Sequence, residues 1–198
     1  MATVATDSPG RTRRVVLGLF LGYGYYNTMR STFPQQMRTI AGDLGIPLDR
    51  IGVPNSVFSA AYGLGKFAGS VATDYLPCRE FHALGIFFCG LVVVSVGFCS
   101  EITTMTWLWG LQGLLQAFGW PFLGRIVLTE LPAADRARYW GVLSMSGSVG
   151  SMLAPYGMVL AKSCGLSWRG AFYAAGCSAA GVSALVWLLL SGGRGRGA

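Results

Sequence analysis

Apolar residues run along this chain in six long stretches broken by short polar joints. The stretches cover about Val15–Met37, Ile51–Thr73, Phe81–Phe98, Thr104–Leu128, Trp140–Leu160 and Trp168–Leu190. Each is close to the ~20 residues that an α-helix needs to cross a bilayer core. Turn residues and charges fill the joints: Gly42–Arg50, Asp74–Glu80, Ser100–Thr103, Pro132–Arg138 and Ser163–Ser167. The pattern predicts an all-α membrane protein, a bundle of six transmembrane helices. A polar and basic N-terminal tail (1–14) precedes the helical domain (15–191), and a Gly/Arg tail (192–198) follows it. Arg11, Arg13 and Arg14 before the first stretch resemble a signal peptide, but no small-residue cleavage site closes the run, so a retained first helix is expected.

The stretches differ in their polar faces. The second carries Asn55, Ser59, Tyr62, Lys66, Ser70 and Thr73 at steps of three and four, which puts all six on one helical face. The first aligns Tyr23, Tyr26, Arg30, Phe33 and Met37, the fourth Gln112, Gln116 and Trp120, and the fifth Ser144, Ser148, Ser151 and Pro155. The third and sixth have no such stripe. Spans one, two, four and five are therefore expected around a polar cavity, with spans three and six outside it toward lipid. Ser144 and Ser148 are read first as helix-packing residues, since serines commonly join membrane helices.

Composition supports a membrane solvent: 53% of residues are hydrophobic and 12% charged, against roughly 25% charged in a soluble domain. The net charge of +7 does not form one patch, which excludes the footprint of a nucleic-acid binder. Lys and Arg counts in short joints place both termini on the cytoplasmic side. The inner set is Arg11, Arg13, Arg14, Arg79, Arg136, Arg138, Arg194 and Arg196; the outer set is Arg38, Arg50, Lys162 and Arg169. Five cysteines without CxxC spacing read as buried hydrophobes, and no cofactor or metal site is implied. The single histidine, His82, reads as an interfacial residue.

Three cations fall inside apolar stretches. Arg30 lies about 15 residues into span one, roughly 22 Å along the helix. Lys66 is similarly deep, and Arg125 sits near the inner end of span four. A cation at the bilayer centre costs at least a few kcal/mol, so each needs a partner. Arg125 can reach Asp74 or Glu130, and a structural ion pair with Glu130 or a loop acid is expected there. No acid lies beside Arg30 or Lys66 in the first two spans, so an anionic ligand is the expected partner of both, Arg offering a planar fork for phosphate or carboxylate. Pro34 deprives the Arg30 carbonyl of its helical donor, and a kink or loosened turn is expected there. Broken helices near the midplane are typical of transporter sites.

Four segments carry a resemblance: YYNTMRSTFPQQM, SAAYGLGKFAGSVATD, GLLQAFGWPFLGR and SWRGAFY. Together they resemble the N-terminal half of the organophosphate:phosphate antiporters of the major facilitator superfamily, in the glucose-6-phosphate translocase branch. The resemblance implies two inverted three-helix repeats and a secondary transporter exchanging an organic phosphate, such as glucose 6-phosphate, for inorganic phosphate, with no enzymatic step. It places the phosphoryl group on Arg30 and the family's span-two lysine on Lys66, and gives Asp74 and Arg79 an inner gating role; Tyr26, Tyr62, Gln116 and Trp120, on the faces of spans one, two and four described above, are expected as further substrate contacts. It also implies a second six-helix half as partner besides membrane lipid, and an endoplasmic reticulum membrane, with plasma or other organelle membranes as alternatives. The chain departs from the family pattern at Ser70, Tyr75, Phe122 and Ser148. SGGRGRGA after the last span resembles the start of a linker. A sugar-phosphate sensor and a non-transporting partner subunit are alternative functions for the same fold.

Overall fold

A computed structural model describes residues 9–192. Residues 1–8 of the expected basic tail, and residues 193–198 of the Gly/Arg tail with Arg194 and Arg196, lie outside the described residues. Seven α-helices are present among the described residues: α1 (Pro9–Leu44), α2 (Val53–Ala72), α3 (Cys78–Gly97), α4 (Ile102–Ala117), α5 (Gly119–Glu130), α6 (Arg136–Ser163) and α7 (Trp168–Ser191). One 3-10 turn, Ala133–Asp135, joins α5 to α6. The fourth expected span is α4 and α5 together, so six spans result.

The interruption in span four has a local cause. Pro121 has no N–H to give the Ala117 carbonyl, and α4 ends at Ala117. The expected loosening at Pro34 does not break its helix, since α1 stays helical through that residue. At the C-terminal end of α1, Gly45 takes φ +63 and the Ile46 amide donates back to the Ala41 carbonyl at 3.0 Å, which closes the helix.

Helix α2 lies along α4, α3 along α7, and α1 along α6 and α7. The α3–α7 and α1–α6 contacts are close because glycines face each other. A Cβ on Gly90 would sit 2.7 Å from the Gly176 carbonyl oxygen, and one on Gly150 only 1.9 Å from that of Gly24. Such small-residue crossings are how membrane helices approach one another. Between them lies an aromatic core: Trp109 against Phe33 at 5.1 Å, Phe58 at 5.6 Å and Phe172 at 6.4 Å.

Among the described residues, only α3 and α7 are long and apolar enough by themselves to cross a membrane. They are the two spans without polar stripes. One face of α3 packs inward through His82, Ile86, Cys89 and Val93, while Phe81, Leu84, Phe87, Phe88 and Leu91 are exposed. The third span is thus lipid-facing on one side and core on the other. His82 is fully buried rather than interfacial: Tyr26 packs edge-on to its ring at 5.6 Å, and Gly22 leaves room for Nε2.

Each end of the bundle is tied by charge. At the end holding the α2–α3 joint, Arg79 pairs with both carboxylate oxygens of Glu130 and donates to the Leu190 carbonyl at 3.1 Å. Arg125 pairs with Asp74 at 3.4 Å. Of the two acids open to Arg125, Glu130 is taken by Arg79, and the loop acid Asp74 remains. At the other end Trp168 Nε1 donates to Asp43 at 2.8 Å, and Arg169 donates to the Cys99 carbonyl at 2.9 Å.

Glu130→Ala should leave the mostly buried Arg79 without its acid, at a cost on the order of 3 kcal/mol. The Arg125–Asp74 pair is about half exposed, so Arg125→Ala should cost far less, as surface pairs do. Thermal unfolding of the two variants in detergent checks the order, and equal losses would contradict it.

Candidate functional site

The site begins with the azimuth of residues on α1. At 3.6 residues per turn, Tyr23, Asn27, Arg30, Ser31 and Pro34 fall on one stripe, and Tyr26, Met29, Phe33 and Ile40 on the adjoining one. The second stripe is buried; Arg30, Asn27 and Ser31 of the first are half-buried and Pro34 is exposed. The single face expected for Tyr23, Tyr26, Arg30, Phe33 and Met37 is therefore divided, with Tyr26 and Phe33 turned into the core.

Arg30 reaches across to α2. Its guanidinium carbon lies 4.7 Å from the centre of the Tyr62 ring and 5.1 Å from that of Phe58. Lys66 Nζ lies 4.7 Å from the same Tyr62 ring. Phe58 and Tyr62 stack at 5.9 Å with their planes 9° apart. One tyrosine thus touches both deep cations, and the Tyr23 side chain interacts with Tyr62, Asn27 and Arg30. Cation–π contact is worth about 0.5–2 kcal/mol, less than the burial of a guanidinium requires. The ion pairs among the described residues are Arg79–Glu130, Arg125–Asp74 and Arg169–Asp43, and none includes Arg30 or Lys66. Two cations over a shared ring, with no carboxylate, form a locus for an anion.

Space is available beside them. A depression of about 390 Å³ has Asn27, Arg30, Ser31, Asn55, Ser59 and Ser151 among its lining residues. A second, of about 550 Å³, is lined by Tyr23, Asn27, Trp120, Ser144, Ser148 and Ser151, with Gly147 at its base. Both volumes suit small-molecule sites. Their walls come from α1, α2, α5 and α6, which are spans one, two, four and five; neither α3 nor α7 contributes. Ser144 and Ser148 are exposed here, while close packing of α6 on α1 is left to Gly147 and Gly150.

Of the expected contacts, Arg30, Lys66, Tyr62 and Trp120 lie on this side of the bundle. Tyr26 and Gln116 do not. Tyr26 is 3% exposed and its hydroxyl donates to the His82 carbonyl at 2.9 Å. Gln116 is buried, and its Nε2 donates to the Tyr26 carbonyl at 2.7 Å. Gln112 and Trp120 lie on either side of the α4–α5 interruption, and Gln112 is fully buried. Asp74 and Arg79 sit at the end holding the α2–α3 joint, in the pairs already described. Asn27, Asn55 and Phe58 belong to the site and were not singled out as contacts. Asn27 and Asn55 were visible as amides one turn from Arg30 and Ser59; apolar Phe58 carried no signal.

Gln116 holds the turn that carries Arg30. In a helix the Tyr26 carbonyl accepts from the Arg30 amide, and Gln116 adds a second donor to that oxygen. Gln116→Leu keeps the volume and removes the donor. An anion held at Arg30, with inorganic phosphate as the probe, would then bind about threefold to tenfold more weakly, the scale of one hydrogen bond, with the fold retained. Phosphate titration of the purified variant, beside its circular dichroism, checks this.

The sequence profile described as Major Facilitator Superfamily matches residues 15–196. The probable hexose phosphate transport protein of Chlamydia pneumoniae is 32% identical over 171 residues, covering 85% of this chain and 37% of that protein. The membrane sensor protein UhpC of Escherichia coli (strain K12) is 26% identical over 178 residues, covering 89% of this chain and 40% of that protein. The glycerol-3-phosphate transporter of Bacillus subtilis (strain 168) is likewise 26% identical, over 182 residues, with coverage of 89% and 40%. This chain thus spans about two fifths of the length of these relatives. Its fold is similar to the crystal structure of a bacterial homolog to the human lysosomal transporter Spinster, inward-facing and unoccupied. The TM-score is 0.80 at 18% identity, over 92% of this chain and 43% of that one.

Proposed function

The chain belongs to the major facilitator superfamily, as the N-terminal half of its fold, and on that premise we propose that it serves secondary transport of an organic phosphate. The substrate is a sugar phosphate of the glucose 6-phosphate kind, exchanged for inorganic phosphate. The carrying observation is the pair of cations, Arg30 and Lys66, on the Tyr62 ring, with neither in an ion pair among the described residues. A dianionic phosphoryl group supplies the charge this locus lacks. Arg30 binds two of its oxygens through the guanidinium fork, and Lys66 adds a point charge. Tyr62 keeps the cations apart and oriented, while Tyr26 and Gln116 act through the backbone of α1.

The unit that moves is the six-span domain proposed over 15–191, which α1 extends back to Pro9. Alternating access follows from rocking of this unit against a second six-helix half around the midplane site. The pairs Arg79–Glu130 and Arg125–Asp74 tie the α2–α3 joint to α5, so the inner rim moves as one piece. The excess of arginine at that end favours cytoplasmic termini. The endoplasmic reticulum is the membrane proposed. A protease-protection map of tagged termini in microsomes tests both placements.

A sensor remains the second reading, favoured by the similarity to a protein named a membrane sensor. Counterflow separates the two. In proteoliposomes holding this chain together with a C-terminal half from a relative, labelled phosphate should enter against internal glucose 6-phosphate. Saturable binding without counterflow would instead indicate a sensor.

A further inference from the structure

The second depression, beside the Arg30 locus, has a chemistry of its own. Its aromatic wall is Tyr23 against Trp120 at 4.8 Å, continued by Trp140 at 5.4 Å from Trp120. Its polar groups are an amide, Asn27, and three hydroxyls, Ser144, Ser148 and Ser151. No acidic or basic side chain lines it among the described residues. Gly147 makes the space: a Cβ there would come within 3.1 Å of the Tyr23 ring and 3.2 Å of Asn27 Nδ2. Asn27 and Ser151 also line the Arg30 depression, so one ligand can occupy both. From Tyr23 to Arg30 is two turns of α1, about 10 Å, which a phosphorylated hexose can span.

We infer that the depression walled by Tyr23, Trp120 and Asn27 is a subsite for the neutral, polyhydroxylated part of the substrate, selecting a sugar phosphate over a phosphorylated carboxylic acid. Aromatic faces accept the C–H face of a sugar ring while amides and hydroxyls meet its hydroxyl groups, the mixture of apolar wall and few polar groups that orients small ligands. With its phosphoryl group at Arg30, a phosphoglycerate would bring its carboxylate, a second anionic group, into a compartment with no cation among its lining residues, and burying that unpaired charge is costly. The inference rests on the proposed phosphoryl site at Arg30.

The test is equilibrium binding of three probes to the full chain in lipid nanodiscs: inorganic phosphate, glucose 6-phosphate and 3-phosphoglycerate. For wild type, glucose 6-phosphate should bind more tightly than either other probe. Trp120→Ala should weaken glucose 6-phosphate about tenfold and change inorganic phosphate by less than about threefold. Ser148→Lys, at an exposed position where folding is little affected, should reverse the preference toward 3-phosphoglycerate. Parallel losses for sugar phosphate and phosphate in Trp120→Ala, or an unchanged order of preference in Ser148→Lys, overturn the subsite and leave the Arg30 site standing. Absence of phosphate binding to wild type overturns both.

Discussion

Arg30→Ala is expected to abolish binding of both inorganic phosphate and sugar phosphate, a loss of at least about a hundredfold, while the helix still inserts. The reasoning is electrostatic. Among the described residues Arg30 touches Tyr62 and Phe58 and is in none of the ion pairs, and a charge-assisted hydrogen bond to an anion contributes about 1.5–3 kcal/mol. A bidentate contact makes two such bonds, which sets the hundredfold scale. Alanine removes a cation whose burial is itself costly, so expression should hold or improve. Arg30→Lys keeps the charge and loses the fork; affinity should fall by about tenfold. Lys66→Ala should fall between wild type and Arg30→Ala, because the lysine is exposed and makes one point contact. Labelled-phosphate binding in nanodiscs, and exchange in proteoliposomes with a complementary half supplied, give the order. Wild-type binding by Arg30→Ala would end the case for an anionic substrate.

Gly150→Val should have the largest structural effect. Any side chain at 150 meets the backbone of α1, because the added Cβ falls 1.9 Å from the Gly24 carbonyl oxygen and 2.6 Å from its carbon. Those atoms belong to a helix and cannot turn aside as a flexible side chain would. No compensating change exists across the contact, since Gly24 is already the smallest residue. The helices must part, and Thr28 Oγ1 then loses its bond to the Gly150 carbonyl, now 3.0 Å. A cost of about 3 kcal/mol or more is expected, at the upper end of overpacking. Binding should fail with it, because Asn27 on α1 and Ser148 and Ser151 on α6 enclose the same space. Monodispersity on size exclusion and the thermal midpoint report the first effect. Gly157→Val is the control, since a Cβ there meets nothing within 4 Å. A Gly150→Val protein as stable as that control would contradict the α1–α6 contact.

Much of the fold was legible from residue type and period alone. Six apolar stretches matched six spans, and the two without polar stripes became α3 and α7, which stay out of the cavity. Arg30 and Lys66 stood out because a charge in an apolar run needs a partner, and no acid was near in sequence. The break in span four was not foreseen, although Pro121 announced it, because Pro34 and Pro155 lie in helices that remain continuous. A proline removes one hydrogen bond wherever it sits; whether the helix then separates depends on what packs around that turn.

Period also sets the face of a residue only to within a few tens of degrees, and neighbouring helices decide the rest. Tyr26 and Arg30 differ by about 40° around α1, yet α3 and α4 cover Tyr26 and leave Arg30 facing α2. Gln116 was expected at the substrate and is instead bonded to the Tyr26 carbonyl, because its drift around α4 turns it toward α1. Glu130 was as open to Arg125 as to Arg79 by sequence, and the docking of α3 against α5 assigned it to Arg79. Nor could spacing reveal that one ring, Tyr62, lies against both Arg30 and Lys66, since that depends on where α1 crosses α2. The sequence by itself determined which side chains are too costly to bury alone. The tertiary structure decided which of them meet, because hydropathy and helical period act along one helix, whereas an ion pair or a shared ring needs two helices at a particular crossing.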